Sequence, residues 1–204
     1  MKLYYANGTI AVAAAIALYE AGLPFEPVRL DFKAGEQRQP GYHAINPKGR
    51  VPALVTERGI LTETGAILDH IADLAPAAGL RPADPFEAAR MREAMYYLAS
   101  TMHVNHAHRA RGSRWADEEA SLADMRAKAV QTMTESARYV ESQMLRGPYV
   151  LGEVFSLADP YLWVACSWLE HDGVAVADFP KIGAFVETMA ARASVAQVIA
   201  DGMI

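Results

Sequence analysis

Residues 46–68 read Asn46-Pro-Lys-Gly-Arg-Val-Pro52-Ala-Leu-Val-Thr-Glu-Arg-Gly59-Ile-Leu-Thr-Glu63-Thr-Gly-Ala-Ile-Leu68. Pro52 stands just before the apolar run Ala53-Leu54-Val55. A proline there cannot donate a ladder hydrogen bond, so it opens a strand or lies on an edge. Arg58-Gly59 is a turn, and Ile60-Leu61 makes a second short strand after it. From Glu63 to Leu74 the pattern becomes helical, with Ile67, Leu68 and Ile71 on one side.

Upstream, Lys2-Leu3-Tyr4-Tyr5 is β-prone and ends at the turn dipeptide Asn7-Gly8. Residues 10–21 are mostly helix formers, stopped by Gly22 with Pro24 beyond. Residues 27–31 read as a strand with Val28 and Leu30 on its apolar face. The order β-α-β, a loop, then β-β-α fits a thioredoxin-like α/β unit of roughly 75 residues.

The stretch 76–85 holds three prolines and a glycine and reads as a linker. Beyond it the period is 3.6. Met91, Met95, Leu98 and Met102 form one stripe; Leu122, Met125, Ala129, Met133, Ala137, Val140 and Met144 form another. Helices are predicted over 157–171 and 181–192, and the methionines read as core fillers. The expected division is therefore 1–76, an α/β thioredoxin-like domain; 77–85, a linker; and 86–204, an all-helical domain.

Composition narrows the function classes. Of 204 residues 52% are hydrophobic and 21% charged, an ordinary globular balance. The net charge of −5 argues against a nucleic-acid partner, which needs a basic face. No apolar run approaches the length of a membrane span. The single Cys166 forbids an internal disulfide and fits a reducing, cytoplasmic location. An apolar run at 9–18 follows Lys2, but Asn7-Gly8 interrupts its approach. Tyr19-Glu20 stands where a leader needs small residues, so no secretory leader is expected.

Four local signals carry possible chemistry. Val51-Pro52 is either a surface turn or a cis bond that turns the Val51 N–H and C=O outward to pair with a peptide-like ligand. Glu63-Thr64 lies at a helix start, where Thr64 either caps the helix or holds a ligand carboxylate while Glu63 meets an ammonium. Ser156-Leu-Ala-Asp159 is a capping box and reads as structural. His103, His106, His108, Arg109, Arg111, Arg114 and Trp115 form either a polar wall or a solvated helix face. His103 and His106 share a face, but His108 turns away and no carboxylate follows before Asp117, so no metal site is assigned.

Taken together, Leu3-Tyr-Tyr-Ala-Asn-Gly-Thr9, Ala21-Gly-Leu-Pro24, Asn46-Pro-Lys-Gly-Arg-Val-Pro52, Leu61-Thr-Glu-Thr-Gly-Ala-Ile-Leu68 and Ser156-Leu-Ala-Asp-Pro-Tyr-Leu162 resemble the cytosolic glutathione transferases across essentially the whole chain. The likeness is to the bacterial beta class and its serine-type relatives. It implies that Val51, ahead of a cis Pro52, pairs with the cysteinyl backbone of glutathione, while Glu63 and Thr64 hold the γ-glutamyl end. Lys33 lies close to a basic position of that class. The sulfur must act as thiolate, and a hydroxyl or backbone N–H at the first helix start would stabilise it.

The chain departs from this pattern where beta-class proteins carry a cysteine, one residue after Thr9; here it is Ile10. Thr9 is the expected activator, Tyr5 the second candidate and backbone N–H groups the third. His103 falls where the beta class has a ligand-facing histidine, and an accompanying asparagine is replaced by Tyr96. His103, His106 and Trp115 are expected on the second-substrate wall. Cys166 reads as a buried core thiol, which argues against thioltransferase chemistry.

The expected function is attack of glutathione, as co-substrate with no other cofactor, on a hydrophobic electrophile. The resemblance also implies a homodimer. Alternatives are a non-catalytic ligand-binding protein of the same fold and a glutathione-dependent isomerase or peroxidase.

Overall fold

Alternation along Lys2-Leu-Tyr-Tyr5 buries Leu3 and Tyr5 and leaves Lys2 and Tyr4 on the other face, as a strand requires. In the computed structural model, which describes residues 1–204, this segment is β1 (Lys2–Tyr5). Its partners are β2 (Glu26–Arg29), β3 (Ala53–Thr56) and β4 (Gly59–Thr62), in the order β2-β1-β3-β4. The crossover helix α1 (Ala11–Glu20) joins the parallel pair β1 and β2. Strand β3 runs antiparallel to both β1 and β4.

Every residue of α1 from Ala11 to Leu18 is buried, and five are alanines, so the helix is covered on all sides. Helix α3 (Thr64–Leu74) buries Ile67, Leu68 and Ile71, as its spacing predicts. On the other face of the sheet Tyr4 meets Tyr42, ring centroids 5.5 Å apart. Tyr42 belongs to α2 (Pro40–His43), one turn of helix started by Pro40 within the expected loop. The structure thus has the thioredoxin-like α/β arrangement expected of the N-terminal part.

The chain divides into two compact units, one of Met1–Ala88 with Met189–Ile204, the other of Ala89–Thr188. This cut differs from the 1–76, 77–85 and 86–204 division drawn from the sequence: the last sixteen residues gather with the N-terminal unit. Helix α9 (Ala193–Ala200) packs on α1. The helix expected over 181–192 ends as α8 (Pro180–Ala190), because Arg192 turns extended and its guanidinium grips Glu20 through two 2.8 Å bonds.

The second unit is helical. Helix α4 (Pro85–Tyr97) continues through a π turn at Leu98–Met102 into α5 (His103–Arg111), burying Met91, Met95, Leu98 and Met102. Helix α6 (Glu119–Tyr139) ends in a second π turn, Val140–Met144. Leu122 and Met125 close over Gly112, where a Cβ would come within 3.1 Å of Leu122. Helix α7 (Ala158–Cys166) is shorter than the predicted 157–171, since the Ser167 hydroxyl bonds back to the Val164 carbonyl and the chain turns.

The Ser156–Asp159 capping box forms as expected. Asp159 accepts the Ser156 N–H at 2.7 Å and also the Val150 N–H at 2.8 Å, all within the core. Cys166 is buried, and burial pushes its thiol up to about 12. No single helix is long and apolar enough to cross a membrane.

Candidate glutathione site

The sheet gathers four loops at one end. Strand β1 points its C-terminus there, as does the parallel β2; β3 begins there and β4 ends there. Topology alone therefore brings the Thr9 loop, the Lys33 loop, Val51-Pro52 and Glu63-Thr64 to one edge. These residues are 9 to 64 in sequence, and nothing but the strand register makes them neighbours.

The Val51 segment is held from behind. Asn46, 1% exposed, donates its amide to the Arg50 carbonyl at 2.6 Å, and its own carbonyl oxygen accepts the Lys48 N–H at 3.2 Å. The Tyr42 hydroxyl donates to the same Arg50 oxygen at 2.6 Å. Burial pushes that phenol up to about 12, so it remains a donor throughout the neutral range. With Arg50 fixed, the cis Val51-Pro52 bond follows, and the β1 pairing has already stopped at Ala53. The Val51 N–H and C=O thus have no partner, which is the open edge an added peptide strand pairs with.

The pairing of Ala53 with Thr62 sets Val51 and Pro52 beside the start of α3. Glu63 is the one non-glycine residue at positive φ (72°), and it turns the chain so that α3 starts at once. Ile67 is the first residue to bond back within the helix, to the Glu63 carbonyl, so the N–H groups of Thr64, Gly65 and Ala66 stay open. Thr64 is buried and its hydroxyl bonds to no other residue. Lys48 donates to Glu63 and to the Thr62 hydroxyl, each at 2.6 Å. The result is a helix N-terminus for an anion beside a carboxylate for a cation.

At the first helix the Thr9 hydroxyl donates to the Ala6 carbonyl at 2.6 Å, and the Thr9 N–H reaches the same oxygen at 3.2 Å. The next N–H groups, of Ile10 and Ala11, have no acceptor. A hydroxyl has one proton to give, and here it points at Ala6. Tyr5, the second activator candidate, is 7% exposed and lies on the Leu3 side of β1, within the core. Lys33 is exposed on the loop after β2, where its N–H bonds Asp31.

In the helical unit His103 and His106 both pack against Trp168, centroids 5.0 and 4.3 Å away, and His106 lies nearly parallel to the indole. His106 Nδ1 stands 2.7 Å from Asp172 Oδ2. A carboxylate only accepts, so Nδ1 carries the hydrogen and Nε2 is left as the other ring position. Trp115, half exposed, lies against His108 instead, 4.4 Å between rings, and so does not join the other two.

Family models for the Glutathione S-transferase, N-terminal domain and the Glutathione S-transferase, C-terminal domain match residues 1–73 and 91–193. The chain belongs to the glutathione S-transferase family. A glutathione transferase homolog from Sulfitobacter, solved with bound glutathione, is 62% identical over 100% of this chain and 98% of its own, with a TM-score of 0.98. A beta-class glutathione S-transferase from Sphingomonas chungbukensis is 29% identical over 99% of this chain and 98% of its own, TM-score 0.86. A glutathione S-transferase from Pseudomonas putida is 33% identical, aligned over 91% of this chain and 84% of its own length.

In this glutathione S-transferase, four residues that shape these segments carry no signal of that role in the sequence. Asn46 stands in the sequence as one residue of a motif; its role as the buried anchor of Arg50 needs the fold. Lys48 reaches Glu63 across fifteen residues, which no local pattern signals. Trp168 and Asp172 lie more than sixty residues beyond the histidines they contact, and a buried acid so far along the chain leaves no periodic trace.

Proposed function

We propose that the protein binds glutathione along Val51, Glu63 and Thr64 and activates its sulfur as a thiolate for attack on an electrophilic small molecule. The observation that carries this is the set of unpaired backbone groups at one sheet end: Val51 N–H and C=O, the first N–H groups of α3, and those of Ile10 and Ala11. Unpaired groups at a built edge are costly unless something pairs with them. Glutathione supplies a peptide for Val51, a carboxylate for the α3 terminus and an ammonium for Glu63.

The chemistry then needs little from side chains. The thiol proton leaves to solvent, the sulfur anion rests on the Ile10 and Ala11 N–H groups and the α1 dipole, and S–C bond formation expels the leaving group. Thr9 joins as a donor only when its hydroxyl swings from Ala6 toward the sulfur. Tyr5 is set aside because its ring lies in the core. His103 and His106 share one aromatic cluster of the helical unit with Trp168, and Trp115 packs on His108 instead. The protein acts in the cytoplasm as a homodimer, on family grounds.

Calorimetric titration with glutathione, followed by turnover of a chlorodinitroaromatic substrate, tests the proposal. Micromolar to millimolar binding lost in Thr64→Ala and Glu63→Gln, together with turnover, supports it. Binding without turnover favours the non-catalytic alternative, which the Thr9–Ala6 bond motivates. No binding defeats both.

A further inference from the structure

The loop that precedes α1 is anchored by a part of the chain almost two hundred residues away. The Asn7 side-chain amide donates to the Gly202 carbonyl at 2.5 Å, and the next residue, Gly8, donates its backbone N–H to the Met203 carbonyl at 2.8 Å. Two successive loop residues thus bond two successive carbonyls of the C-terminal segment.

That segment is itself rigidly built. Helix α9 ends with Gly202 at φ 65°; the Met203 N–H bonds the Val198 carbonyl and the Gly202 N–H bonds the Ile199 carbonyl, the Schellman pattern. The Met203 side chain is wholly buried, as the apolar residue of that motif. Both ends of α9 are also tied to α1. Glu20 is gripped by Arg192 and Ser194 at one end, and the Tyr19 hydroxyl bonds Asp201 at 2.7 Å at the other.

The loop needs such an anchor. Within it Thr9 bonds Ala6 twice and the Thr9 and Ile10 carbonyls accept from the first turn of α1, and its function, as proposed above, depends on leaving the Ile10 and Ala11 N–H groups unpaired and aimed. Groups that cannot hold the loop through their own hydrogen bonds must be positioned by something else.

We propose that residues 201–203 are a positioning element for the thiol-activating loop, and that Asn7 is the side chain through which they act. The inference rests on the glutathione reading for its functional half; its structural half stands alone. Asn7, whose amide is taken by the Gly202 carbonyl, is a positioning residue in this proposal, and its loss acts on where the α1 donors point.

The test is amide hydrogen exchange in the ligand-free protein, paired with the ultraviolet titration of bound glutathione thiol, on wild type, Asn7→Ala and a chain ending at Ala200. Tyr19→Phe, which loosens the tail without touching the loop, is the control. The expected result for Asn7→Ala is exchange faster by about tenfold at Gly8, Thr9 and Val12, with the sheet and α3 unchanged. Bound thiol then titrates closer to free glutathione, while thermal midpoint moves little. The shorter chain shows the same loop effect more strongly. Unchanged loop exchange in Asn7→Ala overturns the inference, as does a rise spread evenly over the unit. Faster loop exchange with no glutathione binding in wild type leaves the anchor standing and sinks the glutathione reading instead. Faster exchange with an unaltered bound thiol removes the functional half.

Discussion

The Lys48 ammonium stands 2.6 Å from the Glu63 carboxylate, and Glu63 is the residue whose backbone is held at a φ of 72°. A bulky residue in that region carries strain of about 1–3 kcal/mol, which persists where the site needs the side chain. The Lys48 bond does not offset much of it, because both partners are largely exposed.

Glu63→Gly is therefore expected to stabilise the protein by about 1 kcal/mol, since glycine adopts this φ freely. It should weaken glutathione binding about tenfold or more, because the ligand ammonium loses its charged partner. Chemical denaturation beside calorimetric titration checks both signs. A destabilised Glu63→Gly would show that the turn is unstrained and the Lys48 pair worth more than its exposure suggests.

The fold was legible in the sequence where one local rule fixed each element. Pro52 before an apolar run, Arg58-Gly59 and Gly22 each admit few backbone shapes, and the methionine stripes carry their own period. What was illegible depended on long-range pairing. The 157–171 helix stops early because of side-chain bonds at Ser167, and the end of the chain joins the first unit because Arg192 finds Glu20. For the site, Val51, Pro52, Glu63 and Thr64 converge as their motif order implied. Thr9 was readable as a residue, but the direction of its hydroxyl was not, since the Ala6 carbonyl it meets is set by the turn.

Burial holds the Tyr42 phenol up at about 12. A phenol whose folded value exceeds its unfolded value of about 10 favours the folded state below that value, and its contribution falls as pH rises from about 10 to 12. Wild type should lose stability across this window, and Tyr42→Phe should lose less. Tyr42→Phe should also cost about 0.5–1.5 kcal/mol at neutral pH, since Asn46 still holds Arg50. Denaturation midpoints from pH 8 to 12 measure both effects.

At the α7 capping box, Ser156→Ala should cost about 0.5–2 kcal/mol and leave glutathione chemistry nearly intact. Asp159→Ala should cost more, about 1–3 kcal/mol for each buried donor it strands at Val150 and Ser156. A collapse of turnover in Ser156→Ala at full stability would give the box a role in the reaction that its geometry does not provide.

Asp172 fixes the hydrogen of His106 on Nδ1. Asp172→Asn offers an amide donor in the same place, so the ring is expected to switch to the Nε2–H form. Nitrogen-15 chemical shifts of His106 report the tautomer directly. An Nε2–H ring already in the wild type would contradict the present assignment.

The most direct test of thiol activation is the ultraviolet absorbance of the thiolate of bound glutathione, followed across pH in the wild type and in Thr9→Val. Activation by the start of α1 requires a bound thiol that ionises well below free glutathione, with the greater part of that shift retained in Thr9→Val because the Ile10 and Ala11 N–H groups remain. Bound glutathione that ionises like the free tripeptide would contradict activation at this site and leave a protein that binds glutathione without preparing it to react.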